Sequence, residues 1–157
     1  MLKELKENVW DIADSNSIIC ILTNNGVINL NEDYNEPYWY NHMGGGIAGE
    51  ANRRNLGLAN KCGQAIKENK YDLGLDKLTL ARLIRFPTMQ DIGYQASLKL
   101  IEQSLKVLAD IVAENKDKVI YLPRPGCGIG GLDWNKQVKP LCEKYLGNYD
   151  NVYVIYK

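Results

Sequence analysis

Two glycine-rich stretches constrain this 157-residue chain more than any other feature: Met43-Gly44-Gly45-Gly46-Ile47-Ala48-Gly49 and, about eighty residues later, Pro125-Gly126-Cys127-Gly128-Ile129-Gly130-Gly131. Each precedes a segment that reads as a helix. Glycines at these spacings let backbone N–H groups turn toward a ligand with no Cβ in the way, and a helix N-terminus behind them adds about half a positive charge. The second stretch follows the apolar run Val119-Ile120-Tyr121-Leu122 and precedes a helical segment from about Trp134 to Leu146. That strand-loop-helix context is the one a phosphate loop requires. Two such loops in one small chain predict a ligand with two linked phosphates.

Between and around the loops the pattern alternates strand and helix. Ile18-Ile19-Cys20-Ile21-Leu22, within a strand from Ser17 to Leu22, is apolar throughout and ends at the turn-prone Asn24-Asn25-Gly26. A fully apolar strand suits the centre of a sheet covered on both faces. A further strand piece begins at Val27, and Asn31 to Asn41 reads as an irregular insertion. Helices are expected over Ile47 to Arg54 and Leu58 to Asn69. Leu78 to Phe86 alternates as a strand stopped by Pro87. A long helix is expected from Asp91 to Glu114, where Leu98, Ile101, Leu105, Leu108 and Val112 form an apolar stripe. Strands at Lys118 to Leu122 and Val152 to Tyr156 complete an α/β chain, long enough to bury a core as one domain over residues 1–157.

Nineteen basic residues balance nineteen acidic ones, so composition gives no general pull toward nucleic acid or a membrane surface. Cys20, Cys62, Cys127 and Cys142 are scattered and His42 is the only histidine, which leaves too few grouped ligands for zinc. No metal and no cofactor is expected. The charged start, Met1-Leu2-Lys3-Glu4-Leu5-Lys6-Glu7, lacks the apolar run of a signal peptide, and a cytoplasmic location is expected.

Known nucleotide folds fit poorly. A Rossmann fold places its glycine loop after the first strand with an acidic residue about twenty residues on, and that arrangement is missing. Neither loop continues into the Lys-Ser/Thr of a nucleotide kinase or GTPase.

The order of motifs resembles the macrodomain family over nearly the whole chain: Trp10-Asp11-Ile12, Thr23-Asn24-Asn25-Gly26, Met43 to Gly49, Phe86-Pro87-Thr88, and Leu122 to Trp134. The last stretch is similar to the second phosphate loop of the branch that includes terminal ADP-ribose glycohydrolases and antitoxin macrodomains that reverse DNA ADP-ribosylation. The resemblance implies a three-layer α/β/α sandwich with a central mixed sheet, and ADP-ribose or an ADP-ribosylated substrate as the partner. It implies no membrane partner, and nucleic acid only where that is ADP-ribosylated. A monomer is expected. Carried over by residue, Asp11 would accept from the adenine amino group and Ile12 donate from its backbone. Asn24 or Asn25 would stand near the distal ribose. Gly44, Gly45, Gly46, Ile47 and Ala48 would line one side of the diphosphate, and Gly126, Cys127, Gly128, Ile129, Gly130 and Gly131 the other. Tyr156, at the end of the last strand, would lie beside the adenine or proximal ribose.

The resemblance does not carry over the family's catalytic groups. Glycohydrolases of that branch use a lysine just after the first loop and an aspartate in the second. Here the helix reads Glu50-Ala51-Asn52-Arg53-Arg54, and Gly130 stands in the aspartate's place. An arginine stays protonated and cannot act as an amine nucleophile. Another branch uses an acidic residue in the first loop, where this chain has Ala48. His42 and Glu50 are the remaining candidates for acid or base near the first loop, and Asp133 reads as a helix cap. Binding is therefore expected over hydrolysis. The alternatives are an ADP-ribosyl hydrolase or ADP-ribose 1″-phosphate phosphatase, and a sequestering or interaction module for an ADP-ribosylated partner or NAD-derived signal.

Overall fold

A computed structural model describes residues 1–157. Its strands are β1 (Lys3–Lys6), β2 (Ser17–Asn24), β3 (Ile28–Asn29), β4 (Trp39–Tyr40), β5 (Asp72–Leu75), β6 (Arg82–Met89), β7 (Val119–Pro123) and β8 (Val152–Tyr156). Six of them form the main sheet, in the order β1-β8-β7-β2-β6-β5. All pair in parallel except β5, which runs antiparallel to β6, so the sheet is mixed.

Alternation along β2 shows how the sequence makes three layers. Ile18 and Cys20 point into a core shared with Ile101, Leu105, Leu108 and Val112 of α4 (Leu98–Glu114) and with Cys142 and Leu146 of α5 (Lys139–Leu146). Ile19 and Ile21 point the other way, against Ala51 of α2 (Gly46–Arg54) and Leu58, Ala59 and Cys62 of α3 (Leu58–Lys67). The apolar run Ile18 to Leu22 is thus packed on both faces, as parallel sheets require. The result is an α/β/α sandwich around a mixed sheet.

Several boundaries differ from the sequence expectations. The strand expected over Leu78 to Phe86 is β6, which begins at Arg82 and runs through Pro87 to Met89. Residues before it form a turn held by Asp76, whose carboxylate accepts from the backbone N–H and hydroxyl of Thr79. Pro87 sits opposite Thr23, where the register shifts and the ladder loosens, so the missing N–H is tolerated. The long helix starts at Leu98, not Asp91, because Ser97 caps it by accepting from the Leu100 N–H. The segment from Trp134 opens with one π-helical turn to Val138 before α5, and Asp133 caps it as expected by accepting from the Lys136 N–H.

Both edge strands escaped the sequence pattern. Lys3-Glu4-Leu5-Lys6 looks like a solvated charge run, yet it pairs with Tyr153 to Tyr156. Charged residues are common where a strand has only one neighbour. A four-residue helix, α1 (Val9–Ile12), follows it. The insertion also carries structure, since β3 pairs with β4 in a small antiparallel ribbon. The backbone of β4 packs so closely on α3 that a Cβ on Gly63 would stand 2.6 Å from the Tyr40 nitrogen. No helix is long and apolar enough to cross a membrane.

Candidate ligand-binding cleft

The parallel strands β2, β6, β7 and β8 all end on one side of the molecule, and a two-lobed cleft lies over their carboxyl ends. One lobe, of about 660 Å³, is bounded by α1, α2, the end of β8 and the π-turn, with Trp10, Trp134 and Tyr156 in its wall. The other, of about 680 Å³, is bounded by the end of β2, the first glycine loop, the β6–α4 connection and the second glycine loop. Leu22, Gly46, Ile47, Arg124 and Gly128 line both, so the lobes are two halves of one groove that passes between the glycine loops. Open α/β sheets place ligands at this end.

The loops present unpaired donors to the groove. Gly45 caps α2 with no side chain, and the first turn of a helix has no intrahelical partners for its N–H groups. The first amide of this helix to bond within the chain is that of Gly49, to the Gly45 carbonyl. In the second loop, Gly131 N–H bonds to Gly128 O and Leu132 N–H to Gly126 O, and these two turns leave the amides of Gly128, Ile129 and Gly130 without a partner.

Not all the glycines serve this purpose. Gly46 (φ +55°) and Gly128 face open space, and a Cβ on either would meet nothing within 4 Å. Gly126 and Gly130 are instead pressed against Ala96, where a Cβ would come within 2.9 Å and 2.7 Å of the alanine methyl. Gly126 also adopts φ +71°, a conformation favouring glycine. The second loop is thus anchored on one side and free on the other. Ile129, 92% exposed, reaches over toward Gly45.

Of the two candidate asparagines, Asn24 lines the cleft and Asn25 does not. The shift in register at Thr23/Asn24 accompanies this separation. Asn25 turns to the opposite side, where its Oδ1 accepts from Arg85. Asn24 is held by Asn41, whose amide donates to its carbonyl and Oδ1, and by its own amide bond to the His42 carbonyl.

Gly44, Gly45, Gly46, Ile47 and Ala48 all line the second lobe with His42, as do Gly126, Ile129 and Gly130. Cys127 and Tyr156 line the first. Gly131, exposed on one side, lies just outside the walls, with a left-handed φ of +78° that turns the chain into the π-turn. Asp11 and Ile12 follow Trp10 on α1; Asp11 is exposed, and the walls on that side are Glu7, Asn8, Val9 and Trp10.

His42 and Glu50 stand in different lobes. Glu50 accepts from the Trp10 indole N–H at 2.9 Å and lies 3.8 Å from Lys157. Trp10 is covered on one face by the Arg54 guanidinium at 4.1 Å, and Arg54 is paired with buried Asp76 at 2.9 Å. Burial opposes ionisation of Asp76, but hydrogen bonds from Arg54, Asn55 and Thr79 outweigh it and hold its carboxyl well below the usual range. An Asp76–Arg54–Trp10–Glu50 chain thereby fixes one wall. Cys127 is half-buried; burial pushes its thiol up to about 11 although Arg124 pulls the other way. It is a packed thiol, hydrogen-bonded to Pro125 O, with little thiolate at neutral pH.

Sequence reasoning assigned no role to Arg124, which joins the two lobes. Its guanidinium lies 4.0 Å from the Tyr156 ring centroid and 5.1 Å from that of Trp134, and its Nη2 bonds Glu4 at 3.1 Å. Glu4 also accepts from the Trp134 indole and Lys139. The signal was the Leu-Pro-Arg-Pro-Gly context, but nothing in it says where the side chain turns. The β6–α4 connection was also missed: Ile92, Gly93, Tyr94 and Gln95, expected in a helix, form a wall of the second lobe.

A groove between two glycine loops runs across the strand ends of a mixed α/β/α sheet, and comparison with solved structures specifies the fold. The chain has the macrodomain fold. It is similar to the macrodomain of Thermus aquaticus DarG (TM-score 0.73, 22% identity, covering 100% of this chain and 98% of that one). It is similar also to the macrodomain of Mycobacterium tuberculosis DarG (0.71, 21%, covering 99% and 97%). Thermosipho africanus DarTG in complex with ADP-ribose matches over 88% of this chain and 37% of that one (0.67, 21%). No family model and no curated protein matches the sequence.

Proposed function

We propose that this groove binds ADP-ribose or a closely related NAD-derived nucleotide, without cutting it. The observation that carries this reading is the pair of facing loops whose amides have no partner in the chain. Oriented amides can hold a diphosphate without a lysine cluster. The aromatic lobe suits adenine, between Tyr156 and Trp10, with exposed Asp11 accepting from the exocyclic amine at the lobe's open end. The lobe containing Asn24, His42 and Tyr94 suits the distal ribose. Arg124, lining both, adds a charge-assisted donor at the junction.

The distal lobe contains no lysine, aspartate or glutamate in its walls. Its acid–base groups are His42 and Tyr94, with no carboxylate or amine beside them, which favours capture over hydrolysis. The likeness of fold extends to a structure of Thermosipho africanus DarTG holding ADP-ribose, and that likeness supports the choice of ligand.

Titration calorimetry with ADP-ribose, followed by chromatography of the ligand and of ADP-ribose 1″-phosphate from the same samples, tests both parts. Saturable heat with unchanged ligands is the expected result. Released phosphate or a cleaved ester would make the protein a hydrolase. The absence of heat would assign the groove to another ligand.

A further inference from the structure

A second, smaller cavity, of about 340 Å³, lies away from the groove, between the end of α3, β6 and α4. Arg85 is in its wall and is only 4% exposed. A buried arginine ordinarily faces a carboxylate. Arg85 forms none of the chain's ion pairs, and no aspartate or glutamate lines the cavity. Its Nε donates to the Lys70 carbonyl and its Nη1 to Asn25 Oδ1 at 3.2 Å, while the Tyr71 ring covers it at 4.4 Å. These are neutral partners, and Nη2 has no acceptor in the chain.

The rest of the wall is divided. Asn25, Tyr71 and Gln103 supply polar groups around the guanidinium, and Leu100 and Val107 of α4 supply an apolar side. We infer that this cavity is a second binding site, independent of the nucleotide groove, for a small carboxylate carrying a short apolar body, with Arg85 Nη2 as its charge partner. A carboxylate there would neutralise the one buried charge that the fold leaves uncompensated, and the α4 side would cover its chain. Arginine suits the planar carboxylate because it presents its donors in a fixed fork.

The test uses the full chain, isotope-labelled, titrated by NMR with sodium acetate, sodium butyrate and sodium phosphate at constant ionic strength. The Arg85 Nε–H signal and the side-chain amides of Asn25 and Gln103 report the cavity, and the backbone amides of Gly45 to Ala48 report the groove. Butyrate is expected to move the cavity signals saturably, about tenfold more tightly than acetate because two further methylenes are covered, with the groove amides unmoved. Gln103→Glu, at an exposed position in the wall, places a tethered carboxylate beside Arg85 and should weaken butyrate binding at least about tenfold. Cavity signals that do not saturate, that respond only to phosphate, or that bind butyrate undiminished in Gln103→Glu would overturn the assignment.

Discussion

The side-chain amide of Asn41 donates to both the carbonyl and the Oδ1 of Asn24, at 3.1 and 2.9 Å, and to the Gly26 carbonyl at 2.8 Å. Asn41 is fully buried, and its own Oδ1 accepts from the Cys62 thiol. One residue of the insertion thus ties the end of β2 and the turn after it to α3. Asn41→Ala removes the donor to Asn24 O, Asn24 Oδ1 and Gly26 O, of which only Oδ1 keeps another, the Gly26 N–H, and should cost about 2–4 kcal/mol, read from urea denaturation. Asn41→Asp should cost more, because it turns a carboxylate toward three oxygens.

The two kinds of glycine in the second loop should separate stability from binding. Gly128→Ala places its methyl in open groove, so the melting temperature should change little while ADP-ribose affinity falls at least about tenfold through lost amide access. Gly130→Ala drives a methyl to 2.7 Å from Ala96 and from the Gly126 carbonyl. It should lower stability by about 1–3 kcal/mol. Thermal melts beside calorimetry of the two variants distinguish these outcomes; equal losses of stability would contradict the division.

Arg124 is expected to contribute charge where the backbone contributes only dipoles. Arg124→Gln should weaken ADP-ribose binding by about tenfold, the usual scale for a charge-assisted hydrogen bond. It should also flatten the salt dependence of the affinity. Calorimetry at low and high ionic strength checks both expectations, and a wild-type salt slope retained in the variant would remove Arg124 from diphosphate recognition.

With its thiol raised to about 11, Cys127 should alkylate slowly with iodoacetamide at pH 8, at least about tenfold slower than a free thiol of ordinary pKa near 8.5. Cys127→Ser should keep ADP-ribose affinity within about threefold. Mass spectrometry of the time course, with calorimetry of the variant, provides the measurement. Rapid labelling would expose a more reactive residue.

Asp76 predicts a pH limb. Its folded carboxyl titrates below the unfolded value of about 3.9, so its stabilisation is fully present above about pH 5 and is lost as pH falls toward the folded value. Urea midpoints of the wild type should therefore decline from about pH 5 to about pH 3. Asp76→Asn should be destabilised at pH 7 by about 3 kcal/mol, since Arg54 loses its partner. It should show a shallower decline in acid, and parallel limbs would rule out Asp76 as the source.

Much of the scaffold was legible because the information is local. Five successive apolar residues at Ile18 to Leu22 can be satisfied only between two layers, and the stripe from Leu98 to Val112 can be buried only as a helix face. The glycine loops were legible as loops for a similar reason, since a close backbone approach leaves few other residue types, although at Gly126 and Gly130 the group approached is Ala96. The edge strands were not, because Lys3 to Lys6 and Asp72 to Leu75 become strands only through the neighbours they pair with.

The sequence by itself determined an α/β chain with two glycine loops behind strand ends, because hydrophobic period and glycine content act within a few residues. Tertiary structure alone decided that Asn24 faces the groove and Asn25 faces Arg85, that Gly130 is packed while Gly128 is open, and that Arg124 bridges the lobes. Each of these depends on which distant group stands opposite. A side chain's type is local information, whereas its partner is set by the way the layers close.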